Sequence, residues 1–180
     1  MGIQFNITYW PIVYFKLIGN INDEHFEDYK INYLNLLIKC KKKKENILLI
    51  ADLNSNYDMP MKYIFKLALF NKKLFKFNKL YLQAVCIFNQ SKSFKNLLKI
   101  YLSLITPSSP YKLCSSLDKI NIYLKDSLNI HFDTNIFNLN KENESINKII
   151  NDDNNSNKLD LYKKLNEEEI HKEEINDLKI

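Results

Sequence analysis

Two continuous apolar runs constrain the fold of this chain more than any other feature of its sequence. Residues 46–51 and 82–88 are short, apolar almost throughout and bounded by polar residues. Such runs are typical of central strands that are covered on both faces, as in parallel sheets flanked by helices. With 180 residues, of which 46% are hydrophobic and 26% charged, the chain has the composition of a globular domain with an extension.

The remaining segments predict the other elements of one sheet. Residues 3–9 alternate apolar and polar side chains, which predicts a first strand, and residues 12–18 predict a second strand. Pro11 interrupts the pairing between them, and Gly19 ends the second strand, so the two strands form an N-terminal hairpin. Helical spacing and turn residues predict the rest: helices over residues 22–40, 59–77, 91–104 and 117–128, and a strand over residues 111–114. The order ββαβαβαβα predicts an α/β fold with a single mostly parallel sheet, an N-terminal antiparallel hairpin and about four helices.

Polar residues in front of three helices predict where those helices begin. Asn22 and Ser91 are N-cap residues by type and position. Asp58 is the expected N-cap of the helix predicted over residues 59–77, and Pro60 is expected in its first turn, where proline is tolerated. The helix that follows is apolar on most sides, so we expect it to be deeply packed or to present a surface to a partner.

A shift of composition divides the chain at residue 135. Residues 1–134 contain 19 Lys and 10 acidic residues, a net charge of +9, whereas residues 135–180 contain 7 Lys and 11 acidic residues, a net charge of −4. We therefore expect an α/β domain over residues 1–134, an Asn-rich disordered linker over residues 135–157, and an acidic tail over residues 158–180 that forms a marginal helix.

Composition and motifs argue against an enzyme. All 26 positive residues are Lys, so the chain has no arginine to clamp a carboxylate or phosphate, and its 2 Gly residues cannot build a glycine-rich phosphate loop. Its 3 His residues have no metal-ligand spacing and no nucleophile nearby in sequence. The sequence predicts no catalytic residues, no cofactor and no metal site.

Cysteine usage and the lack of any apolar segment long enough to span a membrane indicate the compartment. Cys40, Cys86 and Cys114 are widely spaced and odd in number, which predicts buried free thiols in a reducing environment. The N-terminus shows no secretory signal sequence. A membrane span needs roughly 18 consecutive apolar residues, and no run in the sequence is that long. We expect a cytoplasmic protein with no membrane span.

The order and spacing of the elements resemble the STAS domain, the fold of bacterial anti-sigma-factor antagonists. The resemblance depends on the hairpin up to Gly19, the strand ending at Asp52, its loop and helix, and the strand and helix over residues 85–104. It covers residues 3–128. The lobe of CRAL-TRIO lipid carriers is similar too, because it shares this βα arrangement.

In bacterial STAS proteins the loop after the central strand reads Asp-Ser-Ser-Gly, and a phosphorylated Ser there switches partner binding. The matching stretch here lacks both the Ser pair and the Gly, and Asp58 stands near the position of the phosphorylated Ser. The resemblance places a partner-binding surface at this loop and the start of its helix, on these residues: Asn54, Ser55, Tyr57, Asp58 and Met59.

These observations leave three functions to separate. The leading hypothesis is a non-catalytic, STAS-like intracellular module that binds an unidentified protein partner. The alternative is a carrier of a small lipid or apolar ligand, which needs a cavity of roughly 300 Å³ or more between sheet and helices. The weakest is nucleic-acid binding by the Lys-rich domain, which the lack of Arg and of a basic–aromatic motif argues against. An exposed apolar patch, a cavity or a Lys-covered face would distinguish the three.

Overall fold

The sheet of the computed structural model, which describes residues 2–53 and 59–130, has five strands in sequential order. The strands are β1 (Gly2–Asn6), β2 (Ile12–Ile18), β3 (Ile47–Asp52), β4 (Leu82–Phe88) and β5 (Tyr111–Cys114). β1 and β2 are antiparallel, and β2 through β5 are parallel. The predicted α/β fold, with one mostly parallel sheet and an N-terminal hairpin, is confirmed.

The helices divide unequally between the two faces of the sheet. They are α1 (Asp23–Lys43), α2 (Met61–Lys73), α3 (Phe75–Tyr81), α4 (Lys92–Leu104) and α5 (Leu117–Leu128). Because the strand order runs steadily in one direction, right-handed crossovers place α1 to α4 on the same face. α5 follows the last strand and packs against β4 and β5 from the other side.

Each face of the sheet has its own set of strand residues. The α1–α4 face carries Phe15, Leu49, Ala51, Val85 and Ile87. The opposite face, called here the α5 face, carries Tyr14, Leu48, Ile50, Ala84 and Cys86. All six residues of β3 are buried, which confirms that its apolar run is a central strand covered on both sides.

Local signals near the N-terminus behave as the sequence predicts. Gly19 adopts φ = 77°, a left-handed conformation that glycine reaches without steric cost, and it closes β2. The Asn22 side chain accepts a hydrogen bond from the His25 backbone N–H at 2.8 Å and caps α1. The Trp10–Pro11 peptide bond in the hairpin turn is cis. α1 ends at Lys43, three residues beyond the predicted end at Cys40, with Lys44 in the left-handed region.

The predicted helix over residues 59–77 is wrong in two respects. It begins at Met61, so Pro60 stands at the N-cap position rather than in the first turn, and no described side chain caps it. The predicted cap, Asp58, lies outside the described residues. The helix also breaks at Leu74, where φ = −89° and ψ = 8°, and continues as the separate helix α3. The break buries Leu74 and turns Asn78 inward, to relative exposures of 1% and 3%. Tertiary packing therefore overrides a continuous helical pattern.

The other predicted helix starts are correct in position. Ser116 caps α5 by accepting a bond from the Lys119 backbone N–H at 3.3 Å. Ser91 is at the N-cap of α4, but its hydroxyl makes no capping bond and instead lies 2.6 Å from the Ser93 hydroxyl. The predicted linker and tail, residues 135–180, lie outside the described residues.

Candidate functional site

A cavity of about 180 Å³ lies between the α1–α4 face of the sheet and the helices that cover it. Its floor consists of strand side chains, with the small Ala51 near the carboxyl end of β3. Its roof is formed by apolar side chains of two helices: Ile64, Leu67, Leu97, Leu98 and Leu102. The loop over residues 105–109 contributes to one end. We call this cavity the apolar pocket.

The pocket exists because α4 packs incompletely on the sheet. Of the inward-facing residues of α4, Phe94 is buried at 8% exposure, whereas Leu98, Tyr101 and Leu102 are only half-buried. A helix that packs closely on a sheet buries its whole apolar stripe. α4 therefore touches the sheet firmly at its first turn and leaves space beneath the following turns.

A chain of hydrogen bonds crosses one wall of the pocket. The Tyr33 hydroxyl donates to Asn78 Oδ1 at 3.0 Å, and Asn78 Nδ2 donates to Asn71 Oδ1 at 3.5 Å. Asn71 Nδ2 in turn donates to the Tyr101 hydroxyl at 2.8 Å. This chain joins α1, α3, α2 and α4, so the polar side chains that it contains are held in place from four elements.

The tyrosines of this wall stay neutral well above physiological pH. Burial raises the pKa of Tyr101 to about 12 and also raises the pKa of Tyr33. Burial is the main cause of the raised pKa of Tyr29 as well, which lies beside them. Among the described residues that line the pocket none is charged. The described part of the lining is thus uncharged and mostly apolar, with hydroxyl and amide groups on one side.

The predicted partner-binding loop falls largely outside the described residues. Asn54, Ser55, Tyr57 and Asp58 are not described, so the structure neither places them nor brings them together. Met59 is half-buried and lines the apolar pocket. Leu53, at the other end of the loop, lines it too. Both ends of the predicted loop therefore meet the pocket.

A stripe of exposed apolar side chains marks the outside of the same helical layer. Met61, Phe65 and Leu69 recur every fourth residue on α2 and are exposed at 40%, 47% and 61%. α4, which packs beside α2, carries the exposed pair Ile100 and Leu104 at the same spacing. We call these five residues the α2–α4 surface. Exposed apolar side chains that recur along one side of a helix are candidates for an interaction site.

The two helices that carry this surface are also rich in exposed positive charge. Between Asp58 and Asp118 the sequence contains ten Lys and no Asp or Glu. Six of these lysines are exposed on α2 and α4: Lys62, Lys66, Lys72, Lys73, Lys95 and Lys99. The nearest described acid that pairs with them belongs to α1, where Asp23 lies 2.6 Å from Lys66 Nζ and 3.3 Å from Lys62 Nζ. Hydrogen bonds from Lys66 and then Lys62 lower the pKa of Asp23.

The α5 face shows a different chemistry. Asp52 is buried at 8% exposure and accepts a hydrogen bond from the Tyr14 hydroxyl. Cys86 and Cys114 are buried free thiols on this side, and burial raises the pKa of Cys86 to about 12. Cys40 of α1 is also free and buried, which confirms the prediction that all three cysteines are buried free thiols. In the described part of the chain no cluster of His, Cys, Asp or Glu could hold a metal ion.

Sequence reasoning missed the polar residues of the pocket. Asn71 and Asn78 are two of the 25 Asn residues of the chain, so neither is conspicuous by type. Their spacing of seven residues, two helical turns apart in an otherwise apolar and Lys-bearing segment, is the pattern that could have found them.

Comparison with known proteins concerns the fold. No protein-family model matches the chain, and no curated protein matches it. Among solved structures, the chain is similar to the crystal structure of an uncharacterized protein of the DUF3478 family from Shewanella loihica PV-4, which has a SpoIIAA-like fold. The two share 18% identity with a TM-score of 0.47, over 68% of this chain and 94% of that chain. Within the described residues, no helix is long and apolar enough to cross a membrane.

Proposed function

We propose that this chain is a non-catalytic module of STAS-like fold that binds a protein partner across the α2–α4 surface. The observation that supports this proposal most is the exposure of Met61, Phe65 and Leu69 on consecutive turns of one helix. Isolated exposed apolar residues are ordinary, but a stripe along a helix costs solvation free energy along its whole length. A partner that covers the stripe removes this cost.

The charges around the stripe define the chemistry of the partner. The exposed lysines lie on the same two helices as the apolar residues, and α2 to α4 contain no carboxylate of their own. The complementary partner presents apolar side chains surrounded by Asp and Glu. Long-range attraction between the two surfaces raises the association rate, so binding weakens as salt is added.

A protein partner fits this surface better than a nucleic acid does. Leu69 is 61% exposed on the same helix as four of the lysines, so a phosphate backbone that contacts this helix would meet an aliphatic side chain. An aliphatic side chain makes no favourable contact with phosphate, whereas it is the usual centre of a protein interface. The buried free thiols Cys40, Cys86 and Cys114 are compatible with a cytoplasmic location for the complex.

The absence of catalysis is part of the proposal. The titratable groups that line the pocket are tyrosines, and burial raises the pKa of Tyr33 and of Tyr101 away from the range of an acid–base catalyst. The buried carboxylate of Asp52 lies on the other side of the sheet and is bonded to Tyr14. These arrangements are those of structural groups.

Affinity capture with matched surface variants tests the proposal. The full chain, the double variant Phe65→Ser/Leu69→Ser and the control Ile122→Ser are used as baits in an extract of the source cells. Ile122 is the appropriate control because it is 59% exposed on α5, nearly as exposed as Leu69 but on the opposite side of the sheet. Exposed positions tolerate such changes, so all three baits should show the same melting temperature.

We expect one acidic protein to be retained by the wild-type and Ile122→Ser baits and to be reduced at least about tenfold with the double variant, which corresponds to about 1.4 kcal/mol. The amount retained should decrease as the salt concentration is raised from about 50 to about 300 mM, because salt screens the attraction between the charges. Equal retention by the double variant, retention of nucleic acid alone, or binding only to anionic vesicles would each contradict the proposal.

A further inference from the structure

The apolar pocket has the features of a binding site that the interaction surface does not use. It lies beneath α4 rather than on its outer side, and it contacts both ends of the loop over residues 54–58 through Leu53 and Met59. Its volume of about 180 Å³ is below the roughly 300 Å³ that a lipid carrier needs, so a long acyl chain does not fit. A cavity of about 150 Å³ in a protein core is large enough to bind benzene.

The composition of the lining selects the charge of the ligand. No described residue of the lining carries a charge, so an ionised group would lose its hydration without gaining a counterion. Apolar side chains of the strands and of α2 and α4 provide most of the surface. Such a lining favours a neutral molecule with a ring or a short branched hydrocarbon.

One polar group of the wall is oriented to select a ligand further. The Tyr101 hydroxyl accepts a hydrogen bond from Asn71 Nδ2 at 2.8 Å, which occupies an acceptor position and leaves its proton available. Within residues 2–53 and 59–130 no side chain receives a hydrogen bond from this hydroxyl in the structure. The Asn71–Asn78–Tyr33 chain fixes its position, so the donor is held in place before a ligand arrives.

We propose that the apolar pocket binds a small neutral molecule. The molecule has an apolar part about the size of one ring, either aromatic or branched aliphatic, and one acceptor that receives a hydrogen bond from the Tyr101 hydroxyl. The apolar part fills the space between Ala51 and Leu98, and the acceptor faces the polar wall. This site is independent of the α2–α4 surface, because none of the five residues of that surface lines the pocket.

Methyl NMR of the full chain with three probes tests the proposal. Phenol and toluene have the same shape, but only phenol carries an oxygen acceptor; benzoate carries a charge. We expect phenol and toluene to shift the methyl signals of Leu98 and Ile64 while those of Ile120 on the α5 face stay unchanged. Phenol should bind about 5-fold more tightly than toluene, the contribution of one neutral hydrogen bond. Benzoate should bind more weakly than either.

Two kinds of variant make the outcome decisive. Tyr101→Phe should remove the preference for phenol without preventing toluene binding, which a merely structural role of Tyr101 would not produce. Leu98→Phe, or Ala51→Leu if the first does not fold, should fill the pocket and abolish binding of both probes. The proposal is overturned if neither phenol nor toluene shifts the Leu98 methyl signals at about 10 mM, a concentration that detects weak fragment binding. It is also overturned if benzoate binds as tightly as phenol, or if Tyr101→Phe still binds phenol more tightly than toluene by the same factor.

Discussion

Within residues 2–53 and 59–130, the two faces of the sheet are covered by different numbers of helices, and the face with more helices contains the apolar pocket. On the α5 face the described helix α5 covers a cluster in which Ile120 and Leu124 are fully buried. On the α1–α4 face four helices leave the apolar pocket, and Leu98 and Leu102 of α4 are only half-buried over it. Packing therefore depends on how well a helix fits the sheet rather than on how many helices are present.

The outer surfaces of the two helical layers also differ, in their exposed apolar residues and in their charge. α2 and α4 expose five apolar residues among lysines, with no acidic residue on either helix. Among the described side chains of α5, Ile122 is the strongly exposed apolar one, and the helix carries both acids and lysines. A layer that is loosely packed inside and apolar outside is typical of a binding region, whereas a filled and charge-balanced layer is typical of a structural one.

The largest expected difference between the faces comes from shortening one leucine on each. Leu124→Ala removes a fully buried side chain from a filled cluster, so the free energy of unfolding should fall by about 3 kcal/mol. Leu98→Ala removes a half-buried side chain beside an existing cavity and should cost about 1 kcal/mol. Urea unfolding of both variants measures the difference. Equal losses would mean that the two faces are packed alike.

The next prediction, with a smaller expected effect, replaces one alanine on each face by the larger valine. Ala84 is fully buried in the α5-face cluster, so Ala84→Val should overfill it and lower the free energy of unfolding by about 1–3 kcal/mol. Ala51 borders the pocket, so Ala51→Val has room for its methyl groups and should change stability by less than about 1 kcal/mol, in the stabilising direction. Both residues lie in central parallel strands, so β-propensity cancels in the comparison. A destabilised Ala51→Val protein would argue against an open pocket.

The sequence predicted the elements whose signals are local. The strands β2 and β4 were placed to the residue, because apolar runs bounded by turn residues need no tertiary context. Gly19 and the Asn22 cap were likewise correct, since φ preference and capping involve only a few neighbouring residues. The parallel order of the sheet followed from alternating strands and helices.

The features that define the candidate site depend on tertiary contacts and were not predicted. No Gly or Pro marks the break at Leu74, which arises because burial of Leu74 and Asn78 outweighs one continuous helix. The incomplete packing of α4 leaves no pattern in its sequence, which has a regular apolar stripe. Of the predicted loop, only Met59 is described, and its half-buried position at the pocket could not be read from residue type.

Site-specific photo-crosslinking tests most directly whether the α1–α4 side is the binding side of this protein. A benzophenone amino acid replaces Leu69 in one variant and Ile122 in another, positions that are 61% and 59% exposed on opposite sides of the sheet. Both variants are expressed in the source cells and irradiated. Binding across the α2–α4 surface predicts a defined adduct with one acidic protein from position 69 and none from position 122. An adduct from position 122 alone, the same adducts from both positions, or no protein adduct from position 69 would contradict it.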